Sequence, residues 1–197
     1  MKKYPHFYET LAKKVTQHAA LPHPIILDVG TGPGLLLEAL QKKMPKAILI
    51  GIDPSIDMLF LASKTIKNNS IELIQATAEH LPLKQNSVDM VVVRFSLVYW
   101  QNPEKTFQMI YNILKPKGKL LLETLNRTYP PWKLALVKCH MLLHGAGREV
   151  ITYHSSSYSS AYMFNQVQQF LIKSHFSILD TEYKKHNWKF LIMAEKG

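Results

Sequence analysis

Three glycines at alternate positions, Gly30, Gly32 and Gly34, directly follow an apolar run typical of a buried strand, residues 26–29. Another apolar run, residues 35–40, then begins a helix. Glycine is needed where the backbone approaches a ligand closely or adopts a positive φ, because a Cβ atom would collide there. The pattern therefore predicts a ligand-binding turn between a strand and a helix.

A carboxylate follows the next apolar run, since residues 47–52 end in Asp53. At the C-terminal tip of a parallel strand, a carboxylate can accept two charge-assisted hydrogen bonds from a ribose diol. Together with the glycine turn, Asp53 predicts the binding of a nucleoside-bearing cofactor. A glycine-rich turn that holds no ligand is the alternative interpretation.

The spacing of the glycines distinguishes between classes of nucleotide-containing cofactor. In the dinucleotide fingerprint G-x-G-x-x-G the last glycine lets the helix pack on its strand, but Leu35 occupies that position here. The turn also lacks the G-K-[ST] sequence that holds a triphosphate. Asp28 would repel a pyrophosphate, whereas it can meet an ammonium group directly or through water. These features favour a cofactor with adenosine at one end and an amino-acid zwitterion at the other.

With these residues the chain resembles the class I S-adenosylmethionine-dependent methyltransferases, and specifically the small "methyltransferase domain" proteins. The resemblance spans residues 25–196 apart from residues 125–161, and it implies S-adenosyl-L-methionine as the cofactor and S-adenosyl-L-homocysteine as the product. It also implies an α/β fold with a Rossmann-like, doubly wound, seven-stranded and mostly parallel sheet whose final strand is antiparallel. The cofactor-binding residues that it implies in the motifs above are Asp28, Gly30, Gly32, Gly34 and Asp53.

Residues 75–83 resemble the family's G-D-A-E-x-L-P-F loop, which embraces the adenine. Thr77 replaces the aspartate that usually accepts a hydrogen bond from the adenine amino group, and a hydroxyl accepts more weakly than a carboxylate. The resemblance implies that Ala78 offers its backbone N–H to the adenine ring. Met58 resembles the apolar clamp on an adenine face, with a place in the helix core as the alternative.

The segment after the fourth predicted strand, residues 93–100, lacks the N/D-P-P-Y sequence of methyltransferases that act on adenine or glutamine. This absence argues against methylation of nucleic-acid bases or of glutamine. Tyr99 and Trp100 stand where the family often has paired histidines. Arg94, at the strand tip, is predicted to bind a carboxylate of the cofactor or of a substrate. The alternative is a surface arginine that reaches past the strand end.

Residues 125–161 depart from the alternation of strands and helices, and we expect them to form a substrate-side insert or lid. The rest of a single domain over residues 1–197 then consists of the sheet unit and an N-terminal helical segment, residues 1–24. The insert pairs a largely apolar helix with a stretch rich in Ser and Tyr, which favours a partly hydrophobic acceptor. His154 is the predicted proton acceptor and Tyr158 is expected beside it, facing the methyl group; a solvated hydroxyl-rich loop is the alternative.

The remaining candidates for acid–base or metal chemistry are three histidines and one cysteine. Like His154, the residues His80, His140 and His144 are candidate general bases. His140 and His144 share a helical face, but no third ligand has a fitting spacing, so no metal site is predicted. Cys139 is interpreted as a packed thiol, and a lone cysteine fits a reducing cytoplasm.

The formal net charge of +10 is spread over scattered lysines, and the chain has only three arginines. Scattered lysines favour a soluble surface, while an anionic substrate, RNA or an acidic membrane surface remain alternatives. The chain shows neither a secretory signal nor an apolar run of membrane-spanning length. We therefore expect a cytoplasmic protein without a transmembrane segment, for which peripheral membrane contact is open and a nucleic-acid partner is not favoured.

Taken together, the sequence predicts an enzyme, an S-adenosylmethionine-dependent methyltransferase that acts on a small and partly hydrophobic acceptor. An RNA or protein methyltransferase of the same fold is one alternative. A non-catalytic protein that binds S-adenosylmethionine is the other. The acceptor atom and the oligomeric state stay open at this point.

Overall fold

The computed structural model describes residues 5–19, 21–66, 71–143 and 156–197. Strands and helices alternate as the apolar periodicity predicts. The strands are β1 Ile25–Val29, β2 Ile48–Asp53, β3 Glu72–Gln75, β4 Val88–Arg94, β5 Leu114–Leu125, β6 Phe176–Glu182 and β7 Lys189–Lys196. The helices are α1 Pro5–His18, α2 Leu35–Lys43, α3 Ile56–Thr65, α4 Pro103–Ile113, α5 Pro131–Leu143 and α6 Phe164–Lys173, with a 3₁₀ turn at Leu97–Tyr99.

Within the described residues the strands form one seven-stranded sheet with the order β3-β2-β1-β4-β5-β7-β6. The first five strands in this order, β3, β2, β1, β4 and β5, are parallel to one another. Strand β7 is antiparallel to both of its neighbours, β5 and β6. The short connection between β6 and β7 allows only an antiparallel pair. The predicted fold, a mostly parallel sheet with a reversed final strand, is confirmed.

Both faces of the sheet are covered, which explains why its strands read as continuous apolar runs. In β4, Val91 and Val93 point into a core that includes the buried Phe107 of α4. The alternate residues Met90 and Val92 point into a second core, shared with α1 and α2. This alternation follows from the two-residue repeat of side-chain direction in a strand. The sheet is therefore held rigidly between two helical layers.

Local signals in the sequence set the starts of two helices that border the site. The Ser55 side chain accepts a hydrogen bond from the Met58 backbone N–H at the start of α3. The Asn102 side chain accepts one from the Lys105 N–H at the start of α4, where Pro103 is the first helical residue. These contacts satisfy backbone donors that a helix leaves unpaired at its N-terminus.

One boundary differs from the expectation. The Pro116 and Gly118 positions in residues 115–118 predict a break between α4 and a fifth strand that begins at Lys119, but β5 already begins at Leu114. Its register with β4 shifts there, because Val88 pairs with Leu114 whereas Met90 pairs with Lys119. The proline and glycine signal thus marks an irregularity in the strand pairing rather than the strand's start.

The predicted insert leaves the sheet at the end of β5 and returns beside it. Asn126 forms an isolated parallel bridge with Tyr162, and its backbone N–H donates to the carbonyl of Trp188. Residues 144–155 lie outside the described residues. Among the described helices, none has the length and apolar character needed to cross a membrane. The division of the chain into a helical segment, a sheet unit and an insert stays a prediction.

Candidate active site

A cavity of about 750 Å³ lies at the C-terminal ends of β1, β2 and β4. It is lined by the glycine turn after β1, the tip of β2, the start of α3, the loop after β3 and the segment after β4, with Tyr8 of α1 on one side. β1 pairs with β2 on one side and with β4 on the other, so the strand order reverses here. Ligands of open α/β sheets bind at such a reversal.

The three glycines of the turn all have positive φ, but their surroundings differ. A Cβ atom on Gly30 would lie 2.4 Å from the Cβ of Ser96, so Gly30 allows β1 and β4 to approach. Gly32 lines the cavity, and a Cβ atom there would have no protein atom within 4 Å. Gly32 is therefore the position where the backbone is open to a ligand.

Gly34 has a different role from the one predicted. A Cβ atom there would lie 2.9 Å from the Cδ1 of Ile66 and 3.0 Å from the Cβ of Ala62. Gly34 is also absent from the described residues that line the cavity. A glycine is required at position 34 because the N-terminus of α2 packs closely on α3. The expectation that Gly34 contacts the cofactor is therefore corrected.

Asp53 links the tip of β2 to the glycine turn. Its Oδ2 accepts the Gly32 N–H at 2.9 Å, and its Oδ1 accepts the Ser55 N–H at 2.9 Å. Each carboxylate oxygen retains capacity for another donor. The two backbone bonds thus orient a nearly buried carboxylate at the cavity wall, where it can accept hydrogen bonds from a diol.

Asp28 is a buried carboxyl at the end of β1. Desolvation raises its pKa to about 7, against the opposing effects of the Thr31 hydroxyl, 2.8 Å away, and of the Arg94 charge. The nearby Asp53 charge raises the pKa further. A cationic ligand in the cavity would favour the ionised form of Asp28, since an opposite charge stabilises a carboxylate.

The opposite wall carries the residues predicted to hold an adenine. Met58 and Thr77 line the cavity together with Ala78. The Met58 side chain is 39% exposed, which argues against the alternative that it belongs to the helix core. The Thr77 hydroxyl lies 3.2 Å from the Nδ1 of His80 and, with two lone pairs, can also accept from an amino group.

Arg94 lines the cavity, and its guanidinium forms an ion pair with a buried carboxylate. Its Nε donates to an oxygen of the buried Glu123 at 2.8 Å, and Lys189 forms an ion pair with the other oxygen. The guanidinium lies 4.3 Å from the centroid of the Tyr8 ring. The side chain is only 14% exposed, so it is not a surface arginine reaching past the strand end. The terminal nitrogens have further N–H donors that suit a second carboxylate.

The backbone at the tip of β4 is conformationally strained. Phe95 has a φ of +58°, which is uncommon for a residue with a side chain. Its N–H donates to the Glu123 carbonyl, and the next side chain, Ser96, donates to the Val29 carbonyl at 2.7 Å. These bonds hold an unfavourable conformation at the cavity wall, as is frequent at binding sites.

The insert reaches the cavity through Tyr99. The Tyr99 hydroxyl lies 2.7 Å from the Oγ of Ser157, and both Tyr99 and Trp100 line the cavity. Tyr99 is half-exposed, whereas Trp100 is buried against Phe107. The described part of the insert therefore contacts a residue of the cavity wall.

Tyr158 does not face the cavity as expected. It packs with Val98, Leu125 and Ala161, and its ring centroid lies 5.7 Å from that of Tyr129. It is not one of the described lining residues, and burial raises the pKa of its phenol. The expectation that Tyr158 lines the cavity is corrected, because its ring fills an apolar cluster behind the wall. His154 lies outside the described residues.

The other candidate bases are not among the described residues that line the cavity. His80 contacts Thr77 and lies 3.5 Å from the Lys105 Nζ, while His140 is exposed on α5. His144 lies outside the described residues. Cys139, expected to be packed, is exposed. No cluster of three or more potential metal ligands occurs in the described parts of the chain.

Two features of the site escaped the sequence interpretation. Tyr8 belongs to α1, which carries no motif, and only the packing of α1 against α2 brings it to the cavity. Glu123 is a lone carboxylate in an apolar strand, and its partner Arg94 is its direct neighbour in the sheet register. The sequence did contain a signal for this ion pair, because two opposite charges stand near the ends of consecutive apolar runs.

The comparisons with known proteins agree with this geometry. A family model described as "Methyltransferase domain" matches residues 27–122. Over these residues, just under half of its length, the chain is similar to the class I S-adenosylmethionine-dependent methyltransferases. The match agrees with the predicted family, with the predicted methyltransferase domain and with S-adenosylmethionine as the predicted cofactor.

Two relatives illustrate the range of the family. The demethylmenaquinone methyltransferase of Lactobacillus johnsonii is 39% identical over 114 residues, which cover 55% of this chain and 47% of the relative. The malonyl-[acyl-carrier protein] O-methyltransferase of Marinomonas sp. is 31% identical over 108 residues, covering 54% and 40%. The chain thus spans about half the length of the curated relatives that it matches, or less.

A solved structure extends the likeness over the whole chain. The S-adenosylmethionine-dependent methyltransferase from Aquifex aeolicus aligns over 100% of both chains with a TM-score of 0.70 at 19% identity. At this identity the likeness concerns the fold. It supports the sheet order and its reversed last strand, including the part of the chain that the family model does not match.

Proposed function

We propose that this methyltransferase transfers a methyl group from S-adenosylmethionine to a small, partly hydrophobic acceptor. The observation that carries the proposal is one cavity whose walls bring together Asp53, Asp28 and Arg94, three groups that complement a ribose diol, an ammonium group and a carboxylate. S-adenosylmethionine carries all three groups. The open end beside Tyr99 and the insert then belongs to the acceptor.

In this proposal each wall holds one part of the cofactor. Asp53 accepts hydrogen bonds from the ribose hydroxyls, and the open backbone at Gly32 passes close to the ligand. Met58 contacts an adenine face, while Thr77 and Ala78 offer polar contacts to the adenine edge. The methionine end then points towards Asp28, with its reactive methyl group facing the segment after β4.

Arg94 binds a carboxylate, either that of the methionine moiety or that of an acidic acceptor. Comparing S-adenosylhomocysteine with 5′-methylthioadenosine, which lacks the amino-acid end, separates the two sources. If the cofactor supplies the carboxylate, Arg94→Met weakens only the binding of S-adenosylhomocysteine. If the acceptor supplies it, Arg94→Met leaves both affinities unchanged and raises the acceptor KM.

The cofactor supplies the chemistry, because its sulfonium is an activated leaving group for methyl transfer. The chain has to align the acceptor with the methyl carbon and the sulfur and to exclude water. None of the described cavity-lining residues is a histidine. We propose His154 as the group that removes a proton from acceptors that need it.

The acceptor is proposed as an aromatic or isoprenoid small molecule. Phe95, Tyr99 and Trp100 give the open end of the cavity an aromatic wall. One relative acts on demethylmenaquinone according to its name, which fits an apolar acceptor of this kind. The name of the other relative places its acceptor on an acyl carrier protein, so the choice among acceptors needs a direct assay.

The test is transfer of a labelled methyl group from S-adenosylmethionine to separated metabolite, RNA and protein fractions. We expect label in the organic-soluble metabolites, and its loss with Asp53→Ala. Label in RNA or protein would contradict the acceptor class. Binding of S-adenosylmethionine without transfer to any fraction would contradict the proposed activity.

A further inference from the structure

Helix α5 presents a row of large apolar side chains to solvent. Trp132, Leu136 and Leu143 are 62%, 61% and 84% exposed. At about 100° per residue these three positions fall within roughly 40° of one another around the helix. Leu142 flanks this row and is 55% exposed. Single exposed apolar residues are ordinary on a protein surface, but a continuous row marks a contact surface.

The opposite side of α5 anchors it next to the cavity. Leu134 lies on that side and packs against the cluster that contains Val98 and Tyr158. Phe95, which lines the cavity, packs against the same cluster. The exposed row is therefore carried by a helix whose other side packs against a cluster that adjoins the cavity wall.

The charged residues of α5 are all positive, since the helix contains Lys133 and Lys138 but no Asp or Glu. At about 100° per residue Lys133 falls about 80° from the middle of the apolar row, whereas Lys138 falls about 140° away, towards the side that carries Leu134. A long lysine side chain can extend along apolar surface while its charged end reaches a polar layer. An apolar row with a cation at its edge and no acidic residue complements an anionic lipid surface.

We propose that α5 docks this protein on anionic lipid bilayers, with Trp132, Leu136 and Leu143 entering the boundary between headgroups and acyl chains. Lys133 then faces lipid phosphates. A second copy of this chain is a less suitable occupant, because it would bring the same positive charge to the contact. The proposal depends on neither the acceptor nor the methyl-transfer activity.

The test is sedimentation with phosphatidylcholine vesicles that contain or lack phosphatidylglycerol. The wild-type protein binds the phosphatidylglycerol vesicles, and added salt weakens the binding. We expect Leu136→Ser with Leu143→Ser, and separately Lys133→Glu, to lower the partition coefficient by about tenfold or more. Ile172→Ser is the matched control, since Ile172 is 56% exposed on α6, and it changes binding less than about twofold.

Binding of S-adenosylhomocysteine by each variant shows that its fold is intact. Equal binding to both vesicle types, or no binding to either, overturns the proposal. Unchanged partitioning of both α5 variants overturns it as well. A dimer in light scattering that only the α5 substitutions dissociate would assign the surface to a second copy instead.

Discussion

The two ends of the cavity are built in different ways. At the cofactor end, Asp53 and the glycine turn are tied by backbone hydrogen bonds between neighbouring parallel strands. At the acceptor end, the wall depends on side chains from distant segments, such as the contact between Tyr99 and Ser157. The first end is specified by short motifs, whereas the second depends on tertiary packing. We therefore expect substitutions at the first end to change cofactor affinity and substitutions at the second to change the acceptor.

Asp53→Ala should have the largest effect on cofactor affinity. Removing a carboxylate that holds a ribose diol costs about 2–4 kcal/mol, a loss of roughly 30- to 1,000-fold. Calorimetric titration with S-adenosylhomocysteine measures it. Asp57→Ala, on the exposed part of α3, is the control and should bind like the wild type. Unchanged affinity of Asp53→Ala would remove this residue from the site.

His154→Ala should leave cofactor affinity within a factor of a few and lower turnover by about 10²-fold. The affinity is expected to survive because the predicted role is proton removal from the acceptor. His23→Ala replaces an exposed histidine near the start of β1 and serves as the control. Full activity of His154→Ala on an identified acceptor would defeat the assignment.

Gly32→Val and Gly34→Val should separate ligand contact from packing. Valine at Gly32 faces open space, so it should reduce cofactor affinity by about tenfold or more with a smaller loss of thermal stability. Valine at Gly34 meets Ile66 and Ala62, so the thermal midpoint should fall further. Differential scanning calorimetry and titration of both variants measure the two effects. If Gly32→Val binds normally, the turn serves the fold alone.

The smallest expected effect is the pH dependence caused by Asp28. Its pKa of about 7 means that the carboxyl gains a proton as the pH falls below 7, so it no longer attracts an ammonium group. Affinity for S-adenosylhomocysteine should then fall by up to about tenfold per pH unit. Asp28→Asn should abolish this dependence, and 5′-methylthioadenosine should not show it. A slope retained in Asp28→Asn would assign it to another group.

The raised pKa of Asp28 also affects the stability of the fold. Stability should fall as the pH rises, whereas cofactor affinity should increase. The folded protein keeps the Asp28 proton between about pH 4 and 7, while the unfolded chain releases it. The contribution of Asp28 to the free energy of unfolding therefore declines as the pH rises through this window. Asp28→Asn should remove this decline in urea unfolding curves recorded across the window.

The sequence predicted the fold and the cofactor end because both rest on local rules. Asp53 ends an apolar strand, and the glycine spacing excludes other nucleotides without reference to the rest of the chain. Gly34 shows the limit of this reasoning, since the same residue type leaves the backbone open to the cavity at Gly32 and allows helix packing two positions later. Only the neighbours in space, here Ile66 and Ala62, distinguish the two uses.

The acceptor end could not be predicted to the same depth. Tyr158 is polar by type, but Val98 of the 3₁₀ turn and Leu125 at the end of β5 bury it. Burial by distant segments leaves no periodic pattern near Tyr158 in the sequence. The pairing of Arg94 with Glu123 could be predicted in part from the sequence, because the strand register that joins the two residues follows from the parallel sheet.

The most direct test of the account is a calorimetric titration of the wild-type protein with S-adenosylmethionine and, separately, with NAD. The geometry of Asp28, Asp53 and Gly32 predicts clear binding of S-adenosylmethionine and much weaker binding of NAD, whose pyrophosphate would meet the Asp28 carboxylate. Tighter binding of NAD than of S-adenosylmethionine would contradict the central claim.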